Sequence, residues 1–388
     1  MEPLEPGSNV VGRPKVSGKD DEIANMLTLG FSVVQIAKML NVSRPTVYRI
    51  MNDAGIARSY STIDDEVLDN IVRQIKSEHP NAGEVMLMGH LRAKGFRLQR
   101  ERVRSSIHRV DPDGIVTRGR DKPRRRVYDS PCPNYVWHID GNHKLVRWKI
   151  VTHLSIDGFS RLITFAEASD NNLAVTVLEK FQRAVIQYGR PIRVRTDHGG
   201  ENIRVWEEMI EHHGEYGVIA GTSVKNQRVE RLNGDLNRHV NRPYSEVFHD
   251  LEFRGELNPK NDVDLFCLHY VFLQRISRAI QEFAASYNCH NLSTEKNATP
   301  LQLFWANRSL IELHRGQEIY YPEVSVPDLL SRREDLPYVE VNGVPCCLQP
   351  QVFEELKRNI DPLGQSGNKG RDIYLQTVNF VGNHLLGH

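Results

Sequence analysis

Cysteine is scarce in this sequence: the 388 residues hold five, Cys132, Cys267, Cys289, Cys346 and Cys347, with no CxxC spacing among them. An odd number without that spacing excludes a disulfide framework and a zinc knuckle as the basis of the fold, and it fits a reducing compartment. Long apolar runs are missing as well, so no membrane-spanning helix is expected. The opening residues, MEPLEPGSNVVGRPK, contain no apolar stretch of the secretory type; a nuclear location is expected for a eukaryotic source, or a cytoplasmic one for a prokaryote, and not secretion. Nor is there an excess of either charge, since the formal net charge is +1. That balance conceals a local imbalance: Arg92 to Arg126 carries thirteen Lys/Arg against four Asp/Glu, the composition of a phosphate-tracking segment.

What is present fits a soluble multidomain chain, with 39% hydrophobic and 26% charged residues and a length that calls for two or three cores. The first helix is expected from Asp20 to Leu29, closed by Gly30. Ser32 can cap a second, VVQIAKML, and Ser43 a third, with Pro45 tolerated in its first turn. Val47, Ile50 and Met51 of the third helix face inward, which leaves Arg44, Thr46, Tyr48 and Arg49 outward, the disposition of a helix-turn-helix entering the major groove. A second helical unit opens at Ile63. It carries the stripe Val67, Leu68, Ile71, Val72 and Ile75, then a helix from about Gly83 to Lys94, then QRERVRSSIHRV with Arg100, Arg102, Arg104 and Arg109 as candidate phosphate contacts. The run KPRRR, Lys122 to Arg126, suits either a DNA-tracking linker or nuclear import.

From Asn134 the period changes to two. In NYVWHID, Tyr135, Trp137 and Ile139 point one way and Val136, His138 and Asp140 the other, so Asp140 is read as closing a strand. WKIVTHLSI and RLITFAEA follow as two more strands, turning at Asp157-Gly158. A helix over Leu173 to Tyr188, the strand IRVRTD ending at Asp197, a helix from Asn202 to His212, a strand at Tyr216 to Ala220 and a helix holding Glu230 complete a mixed sheet flanked by helices. Two Asp at strand ends and a Glu on a helix form a set able to hold two divalent ions. Rivals exist for each place. Asp157 and Asp170 read as turn formers; Glu201 stands too near Asp197 to come from another segment; Glu207 competes with Glu230 for the helical place; His138, His143 and His198 read as supporting rather than ligating groups.

WHID, DGFSR, RTDHGGEN and NQRVERL resemble the catalytic core of DDE-type integrases and transposases of the retroviral-integrase kind, over roughly Asn134 to Pro300, and IAKMLNVSRPTVYRIM resembles the helix-turn-helix of resolvases and transposases. The resemblance implies a ribonuclease H-like fold, with Asp140, Asp197 and Glu230 as catalytic and metal-holding residues, two Mg²⁺ or Mn²⁺ ions, DNA (element ends and target) as partner, and a homo-multimer on that DNA. Glu230 follows Asn226 by four residues, as in the family, and Arg231 and Arg238 would lie near DNA phosphates. The chain departs from the family in three respects. No Cys precedes Cys132 to build the retroviral His/His/Cys/Cys zinc domain, Asn233 stands where close relatives tend to have Trp, and Gly234 follows it.

Beyond Asn307 the reading is a small α+β region, with a hairpin at Asn342-Gly343 and a helix VFEELKRNI. The resulting organisation is a helix-turn-helix unit (1–58), a second helical unit (59–115), a basic linker (116–133), the α/β core with its trailing helix from about Asp264 to Tyr287 (134–307) and a C-terminal domain (308–388). Three functions fit: metal-dependent strand cleavage and transfer; a host-recruited DNA-binding regulator with an inactive core; and a ribonuclease H-type enzyme, which leaves the helix-turn-helix units without a role.

Overall fold

A computed structural model of the chain describes residues 18–56, 60–112, 130–221, 227–315 and 325–386. The chain divides into two compact units, Met1–Ser59 and Tyr60–His388. The basic run Lys122 to Arg126 and Asn226 lie outside the described residues.

The first unit is a trihelical bundle of α1 (Asp20–Thr28), α2 (Val33–Met39) and α3 (Arg44–Asp53). Ser32 caps α2 in a capping box with Gln35, and Ser43 caps α3 by accepting from the Thr46 N–H, each cap contributing about 1 kcal/mol. The break between α2 and α3 turns on Asn41, whose φ is +52°. Ile23, Ile36, Val47, Ile50 and Met51 fill the centre, as the apolar spacing predicts.

The second unit opens with α4 (Asp65–Glu78), α5 (Glu84–Ala93) and α6 (Arg100–Val110), which share a small core of Leu68, Val72, Ile75, Leu87, Leu91, Val103 and Ile107. A five-stranded sheet follows, formed by β1 (Val136–Asn142), β2 (Val151–Asp157), β3 (Ile163–Ser169), β4 (Arg193–Thr196) and β5 (Val218–Ala220), in the order β3-β2-β1-β4-β5. The first three strands are antiparallel neighbours, and β4 and β5 add in parallel. This mixed sheet with helices on both faces is the α/β architecture the sequence predicts. On one face α7 (Ala174–Tyr188), α8 (Ile203–His213) and α13 (Pro300–Asn307) bury Phe181, Trp206 and Phe304 against Trp137, Ile139 and Val194. The other face is covered by two long helical runs. One joins α9 (Gln227–Leu236) through a π-helical turn, Asn237–Asn241, to α10 (Arg242–Phe253); the other joins α11 (Asp262–Leu268) through a π-helical turn, His269–Leu273, to α12 (Gln274–Cys289). The first wide turn ends just before Pro243, which has no N–H to continue the ordinary ladder.

Three local expectations change. The strand β1 runs two residues past Asp140. The link between β2 and β3 is a longer loop whose positive φ falls at Arg161, not at Gly158; Asp157 is engaged instead through its side chain, accepting from Ser160 N, Ser160 Oγ and Asn134 N at 2.6–2.8 Å. No hairpin forms at Asn342-Gly343. The stretch around it is extended but unpaired as a ladder, because its polar groups serve other segments: Pro337 O accepts from Gly200 N at 2.9 Å and Val339 O from Asn172 Nδ2 at 3.1 Å. Among the described residues the C-terminal part is helical, with α14 (Val326–Ser331), α15 (Pro350–Asn359) and α16 (Arg371–Leu386). Leu356, Ile360, Ile373, Tyr374 and Val381 of α15, α16 and the residue after α15 join the core cluster of α12, and Arg371 pairs with Glu256 at 2.7 Å and Asp250 at 3.0 Å.

The helical unit α4–α6 is fastened to α12. Ser286 Oγ donates to Met86 O at 3.0 Å, and Arg92 donates to Asn291 Oδ1 at 2.7 Å. The backbones approach so closely that a Cβ on Gly89 would collide with the Ser286 carbonyl; this is where α5 needs its glycine.

Candidate active site

The parallel register of β1 and β4 pairs His138 with Arg195. Two residues further along each strand come Asp140 and Asp197, so the register carries both carboxylates to the same side of the sheet, about 5 Å apart across neighbouring strands. Asp197 is then anchored from behind. Fully buried Trp206 donates to Thr196 Oγ1 at 2.9 Å, Thr196 Oγ1 donates to the Asp197 carbonyl at 2.7 Å, and Asp197 Oδ1 accepts from Gly199 N and Asn202 Nδ2, both at 3.1 Å. Asp140 Oδ1 accepts from Gly141 N at 2.9 Å and its Oδ2 from Asn233 Nδ2 at 2.6 Å. Asn233 lies one turn beyond Glu230 on α9, so that bond draws the start of α9, and with it Glu230, over the strand end. Glu230 itself is exposed.

The electrostatics agree with this convergence. Burial, followed by the charges of Asp197, Glu201 and Glu230, pushes the Asp140 carboxyl up to about 7. Burial is the larger cause and neighbouring carboxylates the smaller, and a donor set made only of carboxylate oxygens matches Mg²⁺ or Mn²⁺.

Sequence reasoning set Glu201 aside for its nearness to Asp197, yet the chain turns back on itself at Gly199-Gly200 and buries Glu201 beside the pair. Burial and then the Asp197 charge raise Glu201 to about 7. A Cβ on Gly199 would collide with the Glu201 carboxylate; the Gly-Gly pair between the two acids was the available signal. His143 also stands close. Burial depresses it, the Asp197 charge partly opposing, and Nε2 of both His143 and His198 is buried without a hydrogen-bond partner.

An asparagine relay was equally unforeseen. Asn142 of β1 donates to Asn233 Oδ1 at 2.7 Å and to Asn237 Oδ1 at 2.9 Å, and accepts from Asn241 Nδ2 at 3.0 Å. Asn233, Asn237 and Asn241 recur every four residues, and the relay ties the α9–α10 run to the strand bearing Asp140. Asn233, a departure from the family pattern, therefore holds a position that Trp could not fill in this way. Gly234 is a simpler matter: it is exposed, its φ is not positive, and an added Cβ meets nothing within 4 Å. Gly234→Ala is expected to raise stability by up to about 1 kcal/mol, read as a higher Tm with metal-dependent activity retained; a lower Tm would mean that the helix needs glycine there.

The DNA-facing candidates divide by environment. Arg44 and Tyr48 of α3 are exposed, Thr46 shares its hydroxyl with Ser43 at 2.8 Å, and Arg49 pairs with Asp53 at 3.1 Å. In the second helical unit every nominated arginine already has a carboxylate: Arg100 and Arg104 meet Glu84, Arg102 meets Asp65, and Arg109 meets Asp69 at 2.7 Å. Fully exposed pairs hold by about 0–1 kcal/mol; here Asp69 and Glu84 are partly buried while Arg100, Arg104 and Arg109 are exposed, so the guanidinium groups stay open to a phosphate. Arg231 and Arg238 are exposed on the α9 run, Arg238 lying 3.9 Å from Asp235.

Residues 127–318 match the family model described as integrase core domain, and residues 12–54 match that described as helix-turn-helix domain of resolvase. Among solved structures, the chain is similar to the HTLV-2 integrase catalytic core domain in complex with magnesium, in its trimeric form, at 18% identity and a TM-score of 0.31, covering 45% of this chain and 99% of that one. It is also similar to a simian T-cell lymphotropic virus intasome chain at 18% identity and a TM-score of 0.36, covering 65% of this chain and 76% of that one. No curated protein matches.

Proposed function

Because this chain carries an integrase core domain and, ahead of it, a helix-turn-helix domain of resolvase type, we infer that it is a DNA strand-transfer enzyme of the DDE kind, with Asp140, Asp197 and Glu230 as its metal-holding carboxylates. The observation that carries this reading is the placement of Asp140 and Asp197 at neighbouring parallel strand ends, with the helix bearing Glu230 tied to them by the Asn233–Asp140 hydrogen bond at 2.6 Å. When bound, two divalent ions supply an activated attacking oxygen and charge relief at the leaving oxygen.

The chain's own residues do the positioning. Register fixes Asp140 against Asp197, Asn233 orients the Asp140 carboxylate, and Thr196 with Trp206 holds the Asp197 backbone. Buried Glu201 adds charge beside the pair. Arg44 and Tyr48 of the helix-turn-helix are assigned to the DNA ends, and the arginines of α6 with Arg231 and Arg238 to phosphates of the nucleic-acid backbone. Two DNA ends joined at one target call for at least two protomers.

The test is a strand-transfer assay on labelled DNA ends in Mg²⁺ or Mn²⁺, run beside an RNA–DNA hybrid. Joined DNA products are expected. Hybrid cleavage without DNA joining would assign the core to ribonuclease chemistry, and DNA binding with no joining in either metal would assign the chain to a regulator.

A further inference from the structure

A second group of ligating side chains lies outside the Asp140 cluster, where α4 meets α12. Glu78 ends α4, His79 follows it, and Glu282 projects from α12; one ligand atom from each lies within 4.8 Å of the others. His79 is 99% buried by the turn before Pro80, and neither of its ring nitrogens has a hydrogen-bond partner. Its Nε2 stands 3.5 Å from a Glu282 carboxylate oxygen without the geometry of a hydrogen bond. An imidazole buried in this way leaves a donor and an acceptor unsatisfied, at about 1–3 kcal/mol for each.

The surroundings do not relieve it. His90 of α5 stacks on His79 with ring centroids 4.6 Å apart, and burial, then the neighbouring His79, lowers His90 to about 3. His239, in the π-helical turn, donates from Nδ1 to Asp235 O at 2.8 Å, and its buried Nε2, like that of His90, has no partner. Glu78 is pushed above the ordinary carboxylate range by burial and then by the Glu282 charge. Glu282 is held below the ordinary carboxylate range, chiefly by His79, and its other oxygen meets Arg278 at 3.3 Å; the Glu78 carboxylate and the buried imidazole face the oxygen that remains.

We propose that Glu78, His79 and Glu282 form a zinc-type divalent-cation site that staples the α4–α6 helical unit to the α12 side of the core. Zinc bonds of about 2.0–2.1 Å place neighbouring ligand atoms of a tetrahedron about 3.3 Å apart, and the 3.5 Å between His79 Nε2 and Glu282 already has that span. One imidazole with two carboxylates is a mixed nitrogen and oxygen set that Zn²⁺ accepts and Mg²⁺ does not favour, which separates this site in kind from the all-oxygen Asp140 cluster. Glu78 is exposed, so an ion can enter from solvent, and water can take the fourth position. The staple crosses the same contact as the Ser286–Met86 and Arg92–Asn291 hydrogen bonds, and gives a reason for imidazoles to be buried there without partners.

The test uses the full chain, stripped by chelation, in an Asp140→Asn/Asp197→Asn background that removes the other carboxylate set. Zn²⁺ titrated by calorimetry is expected to bind one ion per chain and to raise Tm by mass action, with Mg²⁺ failing to substitute. Co²⁺ is expected to give the visible absorption of a low-coordinate nitrogen and oxygen site. Glu78→Gln, at an exposed position, leaves the metal-free Tm in place and weakens Zn²⁺ on the order of tenfold or more, by analogy with the loss of a supporting ligand contact; Glu282→Gln removes binding. No bound Zn²⁺ in the background protein, or the same affinity after Glu78→Gln, overturns the proposal. Since Asp140 and Asp197 are already neutralised, the result is independent of the strand-transfer reading.

Discussion

Asp140→Asn is expected to abolish strand transfer and, in the absence of metal, to make the protein more stable. Loss of a carboxylate that holds the ions lowers joining on the order of 10³-fold or more, and Asp197→Asn and Glu230→Gln fall with it. Glu201→Gln loses at most about tenfold, because Glu201 is buried beside the pair and is not among the three assigned to the ions. The gain in stability follows from the same crowding. A carboxyl that titrates at about 7 in the folded chain and near 3.8 in the unfolded one binds its proton more tightly when folded. Between those values the folded state holds more protons, so wild-type stability falls as pH rises from about 4 to about 7 and then levels off.

Above pH 7 the accumulated penalty is about 2–4 kcal/mol by that linkage. Asn cannot ionise and escapes it, but its single carbonyl oxygen can accept well from only one of Gly141 N and Asn233 Nδ2, a loss of about 1 kcal/mol. The net expectation is a gain of about 1–3 kcal/mol for Asp140→Asn at pH 8 in EDTA, shrinking toward zero by pH 4. Glu201, whose charge raises Asp140, is relieved in turn when Asp140 becomes Asn, which adds to the gain. Urea denaturation across this pH range measures it, and saturating Mg²⁺ reverses the order by stabilising only the wild type. A variant less stable than wild type at pH 8 without metal would show that the cluster is not repulsive.

Much of this site was legible because strands have a period of two and end at recognisable places. The alternation in NYVWHID fixed which face Asp140 takes, and IRVRTD placed Asp197 at a neighbouring end; the parallel pairing of His138 with Arg195 then aligns them. The caps at Ser32 and Ser43 were readable for a similar reason, since one side chain and one N–H three residues on suffice. Glu201 was not readable by spacing alone, as its placement depends on a backbone reversal at Gly199-Gly200. The relay of Asn142, Asn233, Asn237 and Asn241 joins a strand to a helix about ninety residues away, and polar residues on a helix carry no apolar stripe to betray their burial. The C-terminal hairpin failed because alternation in YVEVNGVPC predicts a ladder only if a partner strand is available, whereas the backbone here bonds to Gly200 and Asn172. The arginines of α6 were nominated for phosphate, but their carboxylate partners come from α4 and α5, and pairing across helices is invisible to a local reading.

Asn142→Ala is expected to destabilise the fold by about 2–4 kcal/mol, and Asn142→Asp by at least as much. The direction of every bond in the relay is set from one end. An ionised Asp140 can only accept, so Asn233 must present Nδ2 to it and Oδ1 to its other neighbour. Asn142 must then donate through Nδ2, to Asn233 at 2.7 Å and Asn237 at 2.9 Å, leaving its Oδ1 for Asn241 and for Lys144 N at 3.1 Å. Alanine removes these four bonds at a position 95% buried and leaves Asn233 Oδ1 without its donor. Aspartate keeps the shape but turns the donor into an acceptor. Asn233 can serve it only by rotating its amide, which then aims a carbonyl oxygen at Asp140. Asn142→Asp therefore damages activity beyond its effect on folding, whereas Asn142→Ala loses activity mainly in proportion to stability. A double-mutant cycle between positions 140 and 142 reads the link directly: a coupling of about 1 kcal/mol is expected, although the two side chains do not touch through any hydrogen bond of their own. Additive effects would mean that Asn233 transmits nothing between them, and that Asp140 is oriented by Gly141 alone.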